Sequence, residues 1–314
     1  MFLIEVNVYF INENRSSTIQ TDHGTIDRQS VAAVVVLYNP DQTVSGNIST
    51  YHPYIDQLYA VDNSDPPDET RLSAIGKIEN STYVSLNGNH GIGAALNLAA
   101  RMAVAAGYKW LLTMDQDTRV SENIIAIMAP CLKQYHKNEI GMIACRYALR
   151  DVYVEKKGLY FNEMLVTITS GSLLNLQAYE KTGPFMEKLF IDQVDHEYCM
   201  RLKKNKYKVI QANHALIDHH MGDKKKHIIG YCPHYNPVRR YFITRNRFHV
   251  AWLYRKDFPK FYRYELLSFI KELIRIICYE KNKILKFRNI VLGLIDFKND
   301  NFNRSLNELH ERQR

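Results

Sequence analysis

The run Val31 to Leu37, VAAVVVL, is the feature that most restricts the fold. It is too short for a typical buried helix and rich in β-branched residues. Both of its alternating faces are apolar, so a strand here must be covered on both sides. A central strand of a parallel sheet, with helices above and below, meets that condition. The run stops at Tyr38-Asn39-Pro40, a turn signal.

The next segments repeat the theme. A helical stretch reaches about Tyr54, and a second strand is predicted at Gln57 to Val61, ending at Asp62-Asn63-Ser64. A third, Tyr83 to Leu86, runs into the Gly/Asn loop from Asn87 to Gly93. The helix Ala94 to Ala106 comes next and closes at Gly107. A fourth strand, Trp110 to Met114, ends at Asp115-Gln116-Asp117, and Ser121 is expected to cap a helix to about His136. Strand–helix alternation with short links predicts an α/β domain with a mostly parallel sheet. Ligands then bind outside the carboxyl ends of the strands, where the tip of the first strand, Asp62 and the Asp115/Asp117 pair would gather.

The second half is less regular. It offers a strand at Val166 to Thr169 followed by Ser170-Gly171-Ser172, and a short helix at Gln177 to Lys181. A helix starting near Asp195 and a strand at Tyr207 to Gln211 come after them. From Arg239 onward the pattern is helical, with Leu266, Phe269, Ile270, Leu273, Ile276 and Ile277 at helical spacing. This divides the chain into an N-terminal extension (1–30), an α/β domain (31–250) and a basic, aromatic helical region (251–314).

With 314 residues, 46% hydrophobic and 24% charged, the chain has the composition of a globular protein of one large or two modest domains. No stretch reaches the roughly 18 uninterrupted apolar residues of a membrane span. The five cysteines are scattered and form no CxxC pair, which argues against a disulfide framework or structural zinc and points to the cytoplasm. The net charge of +8 is concentrated late, where Lys and Arg mix with aromatic residues. Nucleic acid, an anionic membrane face or a phosphate-bearing substrate would each suit such a region.

Candidate chemistry lies at the strand ends. Two carboxylates at i and i+2, Asp115 and Asp117, can share one hard cation, and Mg²⁺ or Mn²⁺ prefers such oxygen ligands together with substrate phosphates. Asp62 either forms a turn or accepts hydrogen bonds from a nucleobase or ribose. Asn89 to Gly93 has the glycines of a phosphate-binding loop, or simply of a tight turn. Asp192, Asp195 and Glu197 concentrate acid before a helix: one could be a general base, another a cap. His214, Asp218, His219 and His220 form a short cluster from which one histidine could join the metal of the aspartate pair. Arg239, Arg240, Arg245 and Arg247 suit phosphate recognition or a solvated basic helix.

Read in order, the segments VVVLYNP, VDNS, NHGIGAALN, LLTMDQDT, TSGSLLNL, FIDQVDHEYCMR and YFITRNR resemble family-2 glycosyltransferases of the GT-A fold. They are most similar to the bacterial rhamnosyltransferase branch that builds O-antigen and capsular polysaccharides. The resemblance covers roughly Ala32 to Arg247. It implies a Rossmann-like, mostly parallel central sheet with a helical C-terminal extension. It implies that Leu37 and Tyr38 cradle the nucleotide, that Asp62 reads the base, and that Asn89 and Gly91 lie in the donor loop. Asp115 and Asp117 match the metal-binding motif, with His219 or His220 nearby. Aligned on Arg201, the catalytic base falls at Asp195, with Asp192 and Glu197 beside it. Arg245 and Asn246 match a diphosphate- or acceptor-phosphate-binding pair.

The implied reaction is a metal-dependent inverting transfer from a nucleotide-sugar donor, dTDP-rhamnose first. The implied acceptor is a glycan on polyprenyl diphosphate at the cytoplasmic membrane face. A UDP-sugar transferase is the alternative within the class, and a nucleotide-sugar- or glycan-binding protein without catalysis is the alternative outside it. A nucleic-acid partner is disfavoured, because no such module is present. For Lys256 to Lys286 two readings stand: a peripheral surface for anionic membrane, or a bundle packed on the catalytic domain or on a second subunit of a homodimer.

Overall fold

The computed structural model describes residues 25–66, 75–147, 160–219, 225–227, 230–232, 235–304 and 306–311. Among these, two compact units form: 25–187 with 198–219, and 188–197 with 225–304 and 306–311. The expected 1–30 extension lies almost wholly outside the described residues.

The first unit is built on one sheet. Its strands are β1 (Val31–Leu37), β2 (Gln57–Asp62), β3 (Ser81–Ser85), β4 (Trp110–Asp115), β5 (Thr118–Val120), β6 (Ile140–Tyr147), β7 (Phe161–Glu163), β8 (Ser172–Asn175) and β9 (Lys208–His219). Their order is β3-β2-β1-β4-β8-β6-β9-β5, with β7 on β9. As the apolar run requires, β1 is central, paired in parallel with β2 and β4, and six of its seven residues are buried. The expected parallel arrangement holds across β1 to β4. Beyond β4 the sheet becomes mixed, since β8 runs antiparallel to both β4 and β6.

Helices α1 (Val44–Ile48) and α2 (Ile92–Ala105) connect the early strands; α3 (Ile124–Met128), α4 (Cys131–Gln134) and α5 (Leu176–Thr182) come later. On α2, Gly93 faces the backbone of Glu187 so closely that a Cβ would lie 3.3 Å from its Cα. Asn97 secures the same contact: its amide exchanges hydrogen bonds with the Phe185 backbone, accepts from the Tyr179 hydroxyl and donates to Glu187.

Three expectations need correction. Ser121 caps no helix: the chain first makes β5, and Asn123 then caps α3 by accepting from the Ala126 N–H at 3.0 Å. Pro130 interrupts the helix expected to reach His136 and starts α4. Val166 to Thr169 is not a strand. Thr113 Oγ1 donates to the carbonyls of Thr169 and Ser172, and the ladder begins only at Ser172. Between them Gly171 takes φ +70, and a Cβ there would sit 2.8 Å from Ile217.

The second unit is helical. α6 (Val194–Lys204) starts in it and ends in the first unit; α7 (Pro237–Leu253), α8 (Pro259–Tyr279), α9 (Lys283–Lys298) and α10 (Leu306–Glu311) belong to it wholly. Pro237 and Pro259 occupy first turns, where a missing N–H costs nothing. Val238, Tyr241, Phe242 and Leu309 form a small apolar core. Gly293 lets α9 approach α7, for a Cβ would lie 2.7 Å from the Tyr241 carbonyl.

Buried charge supplies much of the remaining contact. Arg240 pairs with Glu272 and Glu280, Arg247 with Glu265 and Glu272, and Lys286 with Glu280. Removing one member of such a buried set costs about 3–5 kcal/mol, since its partner stays buried without compensation.

Candidate active site

In the first unit the carboxyl ends of β1 to β4 are joined by side chains into one rim. The Gln116 amide grips the Tyr38 backbone from both sides: Tyr38 N–H donates to Oε1 at 2.8 Å, and Nε2 donates to the Tyr38 carbonyl at 3.1 Å. Asn47 Nδ2 donates to the Gln116 carbonyl at 2.8 Å. Asn39 N–H donates to Ser64 Oγ at 2.7 Å, linking the ends of β1 and β2. Asn63 reaches on to the glycine loop, accepting from the His90 N–H at 3.1 Å and donating to the Gly91 carbonyl at 3.3 Å. Gly91 precedes α2 at φ +84, a conformation that disfavours any Cβ. Asn89 accepts from the Gly91 N–H.

Within the rim, Leu37 is buried while the Tyr38 ring is about half exposed. Asp62 is buried. Its Oδ1 accepts from the Ser64 N–H and hydroxyl, and its Oδ2 accepts from the Tyr83 hydroxyl at 2.8 Å. The turn-forming role weighed for Asp62 is thus filled.

Asp115 and Asp117 are both partly exposed. The Asp115 N–H donates to Ser170 Oγ at 3.1 Å, and that hydroxyl also pairs with Thr118 Oγ1 at 2.7 Å. Sequence reasoning had not placed Ser170 against the aspartates. It missed Tyr51 as well. The buried Tyr51 hydroxyl has no hydrogen-bond partner, and burial together with the negative charge of Asp115 pushes its pKa up. Two carboxylates at i and i+2 are the oxygen ligands a hard cation prefers, with phosphate and water oxygens to complete its shell. Among the described residues no group of three or more His, Cys, Asp or Glu side chains could hold a metal. Of the proposed third ligands, His220 lies outside the described residues. The backbone of His219 pairs with Thr118, one residue past Asp117.

In the second unit the acidic segment is a strained turn leading into α6. Phe190, Asp192 and Gln193 all have positive φ (67, 61 and 67), each costing about 1–3 kcal/mol. Asn246 holds this turn. Its Nδ2 donates to the carbonyls of Leu189 (2.7 Å), Ile191 (2.6 Å) and Asp192 (3.1 Å). Arg239 makes a two-point pair with the Asp192 carboxylate. Asp195, in the first turn of α6, is partly exposed and accepts from the His196 N–H.

Two residues of the set are enclosed by protein. Glu197 is buried and accepts a hydrogen bond from the Tyr254 hydroxyl at 2.9 Å. Arg245 is 1% exposed. Its guanidinium donates to Asn246 Oδ1, the Tyr241 hydroxyl and the Lys188 and Leu189 carbonyls, and it lies over the Phe302 ring. Burial lowers its pKa, opposed by the Tyr241 hydroxyl. A guanidinium so enclosed supports the acidic turn.

The family model for glycosyl transferase family 2 matches residues 34–185. Over 294 residues the chain is 29% identical to the dTDP-rhamnosyl transferase RfbF of Shigella flexneri, covering 85% of this chain and 95% of that one. The structure of S. aureus TarS 1–349 with UDP-GlcNAc superposes with a TM-score of 0.57 at 13% identity, covering 86% of this chain and 80% of that one. GalNAc-T7 with UDP, GalNAc and Mn²⁺ gives 0.50 at 11% identity over 61% of this chain, which spans only 44% of that structure. Sheet, rim and matches define a glycosyltransferase of the GT-A fold. Within that class the chain is similar to family 2, and in sequence it is rhamnosyltransferase-like.

Proposed function

We propose that the chain is a metal-dependent, inverting transferase that moves L-rhamnose from dTDP-rhamnose to a hydroxyl of a glycan acceptor. The observation that carries the reading is the hydrogen-bonded rim with Asp115 and Asp117 in it. Similarity to the Shigella dTDP-rhamnosyl transferase supports the choice of donor. Tyr38 offers an exposed ring for the base, Asp62 a carboxylate, and the loop at Asn89 and Gly91 backbone groups for the diphosphate. Asp115 and Asp117 would hold Mg²⁺ or Mn²⁺, which when bound offsets charge on the departing diphosphate.

Asp195 takes the proton of the acceptor hydroxyl as its oxygen bonds to the anomeric carbon. The bond from that carbon to the diphosphate oxygen breaks, and its electron pair leaves with the nucleoside diphosphate. Inversion results from the single displacement.

Purified protein offered dTDP-rhamnose and a panel of UDP-sugars, with a glycan acceptor, tests this. Transfer is expected from dTDP-rhamnose, with inverted configuration, abolished by chelator and restored by Mg²⁺ or Mn²⁺. Undiminished transfer in chelator would remove the metal from the mechanism, and preference for a UDP-sugar would replace the donor.

A further inference from the structure

Helix α8 is built inside out. Its buried face includes Glu265 and Glu272, each paired with arginines of α7. Its exposed face carries Leu267, Ile270, Ile274 and Ile277, between 47% and 60% exposed. Spacings of three, four and three put these four on one stripe. Lys260, Arg263 and Lys271 are exposed on the same side of the helix, and no acid of α8 joins them.

The next helix repeats the composition. Ile284, Val291 and Ile295 are exposed at helical spacing, with Arg288 and Lys298 between and beyond them. From Phe258 to Lys298 the sequence has four acids, Glu265, Glu272, Glu280 and Asp296, and every one is buried in a pair with Arg or Lys. The pairing turns acids inward and leaves the outer surface aliphatic and cationic. No helix among the described residues is long and apolar enough to cross a membrane.

We propose that the outer face of α8 docks on an anionic lipid surface. Aliphatic side chains enter the headgroup boundary while Lys and Arg meet the lipid charge, as in interfacial helices. The same charge disfavours a second copy. Two α8 faces meeting about a two-fold axis would set Lys260, Arg263 and Lys271 against their own kind, with no exposed acid on the helix to receive them.

The test is sedimentation of the full chain with vesicles of phosphatidylcholine alone or mixed with phosphatidylglycerol, read beside its mass in solution. Binding is expected only to the mixed vesicles and to weaken with salt. Ile270→Asp with Ile274→Asp should lower it at least tenfold with the melting temperature unchanged, both side chains being exposed; Lys271→Glu should lower it without touching the stripe. Equal binding to both vesicle types, binding indifferent to these substitutions, or a dimer in solution that the same substitutions dissociate would each overturn the proposal.

Discussion

At the scale of single residues, the three acids before and within α6 have separated into distinct roles. Asp192, partly exposed, is tied to Arg239 and Glu197 is enclosed with Tyr254, while Asp195 is partly exposed in the first turn of α6. Asp195→Asn keeps the size and a hydrogen-bonding oxygen at the helix start but removes the proton acceptor. Transfer is expected to fall at least ~100-fold, the usual scale for losing a general base, with nucleoside diphosphate affinity, measured by calorimetry, unchanged. Unimpaired turnover in that variant would return the base role to another group.

At the scale of elements, the turn from Leu189 to Gln193 depends on α7 more than on its own residues. Asn246 has two amide protons spread over three carbonyls, and Arg245 adds a second donor at Leu189. Asn246→Ala should cost about 1–3 kcal/mol in urea unfolding. It should also lower transfer more than nucleotide binding, because the turn leads directly to Asp195.

This dependence explains what the sequence did and did not disclose. The strand β1 was legible from its composition, and the ends of β2 and β4 from Asp62 and the Asp115/Asp117 pair. The longer strands β6 and β9 were missed or cut short because Gly141, Arg146, Asn213 and His214 interrupt their apolar pattern. Gly141 is needed there, since a Cβ would meet Leu202 at 2.7 Å. Contacts that set Ser170 against Asp115, or Arg245 against the Leu189 carbonyl, span some 55 residues and leave no local periodicity.

At the scale of the whole molecule, the two units should respond differently to acid, because the buried network of Arg240, Arg247 and Lys286 with Glu265, Glu272 and Glu280 lies in the helical one. Burial works against ionisation of Glu272, but Arg247 and Arg240 hold its pKa below the ordinary 4.5. Its contribution is present above that value and is lost as pH falls further. His249 adds an earlier window. Burial and the nearby Lys188 lower its pKa from 6.5 to about 4, so the unfolded chain takes up the proton first and stability declines between those values. Thermal unfolding followed by circular dichroism should show a falling midpoint from pH 6.5 to 4. His249→Gln should flatten that upper slope and leave the loss below pH 4.5 in place.

The rim on the first unit carries a consequence for how a donor is greeted. Its loops already hold one another, from Gln116 through Tyr38, Asn39 and Ser64 to Asn63 and the glycine loop. On the proposed reading, a nucleotide arriving there would meet loops already joined to one another, and little of its binding free energy would be spent on ordering protein. Discrimination among donors would then rest on fit to that rim, and a change of donor preference on substitutions within it.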